Sequence, residues 1–468
     1  IRLAHYQHDQ YFYDLCDELG LIVWQDFMFA CSAYLLTEEF EETVRGEVRD
    51  NVIRLRNHPS LGLWCGNNEI ESAWEYWGLP EDEEAKRDYL IIFEDIIPQV
   101  LKAYDPCENT FYWPSSPSSG GGFKDASSNH AGDMHYWDVW HNFKPIEAFR
   151  EFYYRFCSEY GFESLPDIKT CRAFADETKG DFDLCSPVMA AHQKCVQGNE
   201  KIMYYLAQMV RYPYDFKQLI YSSQLVQADC IRSNVEHMRR ARGRCMGSAY
   251  WQVNDSNPVI SWSSIDYFGR WKGLHYYAKR FYAPCLISCD DTNRKKPVLN
   301  ISNERMTAFE GVVKWTLRNN KAEILQSGEK SVSVPALTAQ NVLTIDLSDE
   351  LKNRTDPREK YLEYSIMENG KVQSFGTTLF VRPKEFTFLE PKITYGISES
   401  EDKFALTFCA ENYAKSVCLS LKTADCVFSD NWFDIHGKEP VTIMIDKASL
   451  SRKMTAQELS EELEIMHN

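Results

Sequence analysis

The chain has 468 residues, 44% of them hydrophobic and 14% aromatic, and a formal net charge of −18. That length exceeds one ordinary domain, so two or three are expected. The negative charge argues against a nucleic-acid or acidic-membrane partner, which calls for clustered lysine and arginine. No apolar run reaches the roughly 18 to 20 residues that span a bilayer, and 12 tryptophans with 26 tyrosines suit stacking on sugar faces.

Ile1 stands first in place of a methionine and nothing after it resembles a signal peptide, so the chain is expected to be the downstream part of a longer polypeptide. From residue 1 to about 285, short apolar runs alternate with helical patterns, the signature of βα units around a parallel sheet. Ile1–Arg2, Leu21–Trp24, Leu61–Gly66, Thr110–Trp113, Met134–Trp137, Arg155–Glu159 and Met246–Trp251 read as strands. Thr37 reads as the N-cap of a helix that puts Phe40, Val44, Val48, Val52 and Leu55 on one face and stops at Pro59. A second helix is expected from about Asp82 to Ala103. A closed (β/α)8 TIM barrel needs eight strands, which places a missing first strand upstream. The rival, an open doubly wound sheet, lacks its GxGxxG turn here.

Pro114–Gly122 (PSSPSSGGG) reads as a flexible loop on the functional face of such a barrel. After Pro284 short alternating runs recur with turns between them, as in a β-sandwich. The expected division is a barrel over 1–285, an immunoglobulin-like sandwich over 286–385 and a small sandwich over 386–468. Arg382–Pro391, with two prolines, reads as a linker, and the charged tail from Ser449 as helix or disorder. The 15 cysteines include no CxxC pair and no zinc spacing, Cys285 and Cys289 being closest together. Free, mostly buried thiols in a reducing, cytoplasmic compartment are expected, with no metal.

Hydrolysis of a glycoside with retention needs two carboxyl groups about 5 to 5.5 Å apart, one protonated and one ionised. Strand ends facing one another across a barrel mouth supply them. With the upstream strand counted first, Glu69 ends the fourth strand and Glu159 the seventh. A single glutamate at a strand end is usually a solvated carboxylate. Two at these strands, each preceded by short polar residues and set among tryptophans, point to catalysis.

The runs FYDLCDELGLIVWQDFMFAC (12–31), GNNE (66–69), GDMHYWDVWH (132–141), RFCSEYGFESLP (155–166) and the long stretch from Trp251 to Pro284 resemble β-mannosidases of glycoside hydrolase family 2. NERMTAFEGVVKWTL (303–317) and SDNWFDI (429–435) resemble the same family's C-terminal sandwiches. The resemblance implies an exo-acting, retaining enzyme that removes terminal β-D-mannose from β-mannoside oligosaccharides without a cofactor. It also implies N-terminal domains upstream on the same polypeptide. By the same resemblance Glu69 is the acid/base, Glu159 the nucleophile and Asn68 a partner of the sugar 2-hydroxyl. Trp251 forms the floor of the −1 subsite, and Trp77 and His141 line it. Read without the family, the tryptophans are ordinary core aromatics and His141 a backbone-bonded loop residue. Asp26 is expected to orient its neighbours.

One segment departs from the family. Where β-mannosidases carry a Trp-Gly-Gly-Gly run, this chain has Leu3-Ala4-His5-Tyr6-Gln7-His8, closer to family 2 β-galactosidases and β-glucuronidases. His5 or His8 is expected to replace the family's tryptophan, and β-galactosides or β-glucuronides are the rival substrates. The rival class is a non-catalytic carbohydrate-binding fragment. Because the Glu159 charge lies near, Glu69 is expected to titrate high.

Overall fold

The computed structural model describes residues 1–79, 82–107 and 111–468. It divides into two compact units. The first comprises Ile1–Asp138, Glu151–Tyr160 and Arg244–Tyr250. Four strands, β1 (Arg2–Leu3), β2 (Val23–Asp26), β3 (Leu61–Cys65) and β4 (Phe111–Trp113), form a parallel sheet in that order. β5 (Met134–His135) pairs in parallel with β6 (Cys157–Glu159). Thr110, expected in β4, lies outside the described residues.

The helices between these strands follow from their caps and apolar faces. α1 (Gln10–Leu19) starts at Asp9, which accepts from the Tyr11 amide, and stops at Gly20, whose φ of 69° is left-handed. α2 (Glu38–Leu55) starts at Thr37, whose hydroxyl accepts from the Phe40 amide. Glu38, Glu39 and Glu41 in its first turn complement the helix dipole. Its Val44, Val48, Val52 and Leu55 are buried with Val23 of β2 and Trp64 of β3 in one core. Each such side chain contributes about 1.5 to 3 kcal/mol on burial. The second expected helix is continuous helical structure from Glu83 to Tyr104, with a π-helical turn at Ile91–Ile96.

Two expectations are corrected in this unit. Met246–Trp251 is not a continuous strand: near Gly247 it forms a few ladder bonds with β6 and its preceding residues, such as Ala249 N–H to the Cys157 carbonyl (2.9 Å). The Pro114–Gly122 loop is pinned rather than flexible. Glu94 accepts from the Gly122 amide (2.6 Å) and Asp133 from the Ser118 amide (3.0 Å), while just beyond the loop Glu75 accepts from the Ala126 amide (2.6 Å). Ser115, Ser116 and Ser118 are fully buried.

The second unit comprises Val139–Arg150, Gly161–Gly243 and Trp251–Asn468. Helices Gly198–Met209, Phe216–Arg240 and Gly273–Phe281 precede two β-sandwiches. In the first sandwich β7 (Cys285–Asp290), β8 (Val298–Asn303) and β11 (Thr338–Thr344) face β9 (Phe309–Asn319), β10 (Ile324–Val334), β12 (Lys360–Glu368) and β13 (Lys371–Leu379). Leu299, Ile301, Val313, Leu317 and Leu362 fill the space between the sheets. The second has sheets β14-β15-β18 and β17-β16-β19, built from Thr394–Glu399, Lys403–Cys409, Tyr413–Leu421, Phe433–His436, Val441–Asp446 and Leu463–Met466. The tail is ordered: helix Ala456–Glu462 carries a capping box at Thr455, and β19 closes the sheet on β16. The cysteines are free thiols, and among the described residues no helix is long and apolar enough to cross a membrane.

Candidate active site

Glu69 follows β3 in a turn that its neighbours determine. A Cβ on Gly66 would meet the Pro114 carbonyl oxygen at 2.2 Å, so only glycine lets the two strand ends approach. Asn67 donates to that carbonyl (3.0 Å) and accepts from Ser115 Oγ (2.7 Å) and the Ile70 amide (3.2 Å). The Asn68 and Glu69 amides donate to Phe29 and Ser116 carbonyls (2.9 and 2.8 Å). This grip holds Glu69 at a left-handed φ of 62°, a conformation an L-residue adopts at a cost unless its surroundings impose it. Its carboxyl thereby enters a cluster drawn from β1, β2, β5 and β6.

Arg2 is the centre of that cluster, with a side chain 6% exposed. It donates through Nη2 to Asp26 Oδ2 (2.8 Å) and Asn68 Oδ1 (2.7 Å), and through Nη1 to Glu159 Oε2 (3.1 Å) and His135 Nε2 (3.0 Å). Asp26, fully buried, also accepts from Trp24 Nε1 (2.8 Å). His135 Nδ1 lies 2.8 Å from Glu69 Oε1 and 3.8 Å from Glu159 Oε2. Oxygens of the two glutamates and the His135 nitrogen all lie within 4.8 Å of one another. On the other side of Glu69, Cys31 Sγ is 3.6 Å from Oε2.

Such a trio of donors resembles a cation site, but Arg2 argues against one. Guanidinium only donates, so His135 Nε2 accepts and the ring proton sits on Nδ1, the atom a metal would need bare. The arrangement suits carboxylate chemistry instead.

Burial pushes the Glu69 carboxyl up, but the hydrogen bond from His135, the Arg2 charge and the Cys31 hydrogen bond outweigh it and hold the group below its ordinary value. Burial also raises Glu159, with the Glu69 charge adding to the rise against His135 and Arg2. The expectation that Glu69 titrates high therefore fails in this geometry. Repulsion does separate the pair, yet the His135 bond favours the proton on Glu159.

The structure thus brings Glu69, Glu159, Asn68 and Asp26 together. His5, at a φ of 68°, borders them: burial favours its neutral form, while Asp26, Arg2, Glu69 and His135 all act on it. His8 instead stacks on Phe12 at 4.9 Å. Trp77, half exposed, caps α3 (Ile70–Tyr76), the helix that Glu69 opens. His141 and Trp251 lie in the second unit. Sequence reasoning missed Arg2, His135 and Cys31 as site residues, although His135 lies inside the HYWDVWH run and Arg2 inside the first strand.

Residues 296–385 match the family model described as a Mannosidase Ig/CBM-like domain, and 388–468 match one described as an Ig-fold domain. The chain is 31% identical over 471 residues to β-mannosidase B of Aspergillus clavatus, covering 92% of this chain and 53% of that protein. To β-mannosidase B of Aspergillus niger it is 36% identical over 476 residues, covering 95% and 55%. A crystal structure of a β-D-mannosidase from Dictyoglomus thermophilum superposes with a TM-score of 0.89 at 28% identity, over 100% of this chain and 55% of that one. The chain thus spans about half the length of the curated relatives it matches.

Sequence and fold together make the chain similar, over nearly its whole length, to part of these β-mannosidases.

Proposed function

We propose that the protein is a retaining exo-β-mannosidase, removing terminal non-reducing β-D-mannose by double displacement. The observation that carries this is the approach of Glu69 and Glu159 oxygens to within 4.8 Å. That approach is in keeping with the close carboxyl pair of a retaining site. Glu69 protonates the glycosidic oxygen while Glu159 attacks the anomeric carbon, and Glu69 then deprotonates the water that releases mannose. Arg2, donating to Glu159, supports the ionised nucleophile, so the reaction requires the pair's shared proton on Glu69 when substrate is bound. Asn68 is the partner of the sugar 2-hydroxyl, and Trp77 and His5 are the remaining sugar-contacting candidates of the first unit.

The parallel strands belong, in this reading, to a (β/α)8 barrel over 1–285, followed by sandwiches over 286–385 and 386–468. The barrel's remaining strand and the N-terminal domains come from an upstream segment of the same polypeptide. A cavity of ≈ 560 Å³ in the first unit, lined by apolar groups of Ile22, Val23, Leu63, Phe111, Phe156 and Ala249, supports this. A closed eight-stranded barrel is filled by side chains and holds no such space.

Turnover of nitrophenyl β-mannoside, β-galactoside and β-glucuronide by the polypeptide with its upstream segment tests the reading. The mannoside is expected to lead in kcat/KM by about 10²-fold or more, as sites that hydrogen-bond a hydroxyl discriminate. Preference for either rival sugar contradicts the substrate, and no turnover of any contradicts the activity.

A further inference from the structure

We propose that Oε2 of Glu69 is the oxygen that carries the catalytic proton, with Cys31 as the positioning residue that serves it in both steps. This rests on Glu69 being the acid/base.

The two oxygens of Glu69 have neighbours of different kinds. Oε1 faces His135 Nδ1 at 2.8 Å. Arg2 Nη1 stands 3.0 Å from His135 Nε2 and has no acceptor to offer, so Nε2 accepts and Nδ1 carries the proton. The Ser116 hydroxyl, also near Nε2, has Asp133 Oδ2 at 2.7 Å to donate to and leaves this assignment intact. Oε1 therefore meets a fixed donor and is the poorer seat for a proton. Oε2 has Asn68 Nδ2 at 3.4 Å and Cys31 Sγ at 3.6 Å. Asn68 is a fixed donor as well, because its Oδ1 accepts from Arg2 Nη2. Of these two neighbours of Oε2 the thiol is the group that both gives and takes a hydrogen bond: S–H toward the carboxylate, and sulfur toward the carboxylic acid.

Cys31 is built for this place. Its amide donates to the Asn68 carbonyl (2.9 Å), which ties the loop after β2 to the turn holding Glu69. The residue is exposed, but partial desolvation of its thiol and the Glu69 charge push it up to about 12, so it stays protonated. The other charged or titratable groups acting at Glu69 are Arg2 from β1, His5 just after it, His135 from β5 and Glu159 from β6.

In the first step the proton on Oε2 passes to the glycosidic oxygen as its bond to the anomeric carbon breaks and the Glu159 ester forms. Cys31 then donates to the anionic Oε2. In the second step water gives a proton to Oε2 as its oxygen replaces Glu159, and both carboxyls return to their starting states.

The test compares kcat/KM against pH for 2,4-dinitrophenyl and unsubstituted phenyl β-mannosides in Cys31→Ala, Cys31→Val and Cys31→Ser forms of the whole polypeptide. The alanine and valine variants are expected to lose about 10-fold or more on the phenyl substrate, which needs acid assistance, and less than about threefold on the dinitrophenyl one. The Glu69 limb of their profiles moves to higher pH, since an anion-stabilising donor is lost. Cys31→Ser, which both donates and accepts, restores the phenyl substrate to within about threefold. Equal losses on both substrates, an unmoved limb, or a serine variant as poor as alanine overturns the proposal. Wild-type enzyme inert toward every β-mannoside overturns the activity itself, whereas active wild type with an unaffected alanine variant overturns this inference alone.

Discussion

Arg2 joins Asp26, Asn68, His135 and Glu159 through its two Nη atoms. A buried ion pair adds little stability over an apolar replacement, but removing one partner strands the other. Both Asp26 oxygens accept, one from Arg2 and one from Trp24, and an asparagine there would turn an N–H toward a donor. Asp26→Asn is therefore expected to cost about 3 to 5 kcal/mol in urea unfolding and to lower kcat as Arg2 loses its anchor. A loss under about 1 kcal/mol would mean that Glu159 alone suffices to hold the guanidinium. At the reacting pair, Glu159→Ala is expected to lower turnover by about 10³-fold or more, with azide restoring part of it as the inverted α-mannosyl azide. Azide rescue of Glu69→Ala is expected to give the β product, and the opposite stereochemistry in the two variants would exchange their roles. The juxtaposition of Glu69 and Glu159 was legible in the sequence because each sits in a local run at a strand end. Arg2, His135 and Cys31 were not, because their roles depend on contacts such as Arg2 to Glu159, 157 residues apart, which no local period reports.

At the scale of elements, the turn after β3 is the part most sensitive to a single atom. Gly66→Ala would drive a methyl group into the Pro114 carbonyl and displace Glu69. About 10²-fold loss of kcat with a folded protein is expected, because small misplacements of an acid/base have large effects. Unchanged kcat would show that the turn relaxes without moving the carboxyl. In the second sandwich Glu462 closes the tail helix by accepting from the Thr423 hydroxyl and amide (2.7 and 2.8 Å) and from Arg452 (2.9 Å). The Thr423 bonds bring its carboxyl from 4.5 down to about 2. A depressed folded value means stabilisation present above the ordinary carboxyl range and lost as pH falls through about 2. The stability gap between wild type and Glu462→Gln is thus expected to be full at pH 7 and to narrow below about pH 4.5. A gap independent of pH would remove the charge from the account. The sequence indicated two of the first unit's helices, one through its Thr37 cap, and most of that unit's strands, through apolar runs. It misjudged the Ser/Gly loop because Glu94 and Asp133, which accept its amides, lie in other segments. It left the tail open because β19 is defined by pairing with β16 rather than by its own pattern.

Over the whole molecule, the first unit contains Glu69, Glu159, Arg2 and His135, and the second contains both sandwiches together with His141 and Trp251. The change of texture after Pro284 was readable because strands with alternating burial, such as Leu362 to Ile366 in β12, write their two faces into the sequence. The parallel strands were readable by their apolar runs, but not their hydrogen-bonded extent, which for Met246–Trp251 shrinks to a few contacts around Gly247. The proposed double displacement on β-mannosides, with Glu159 as nucleophile, passes through a covalent intermediate. Incubating the whole polypeptide with a 2-deoxy-2-fluoro-β-mannosyl fluoride, followed by peptide mass spectrometry, tests it most directly. One sugar is expected on the Glu159 side chain, with inactivation matching labelling. A label on any other residue, or steady turnover of natural β-mannosides with no trapped sugar, would contradict it.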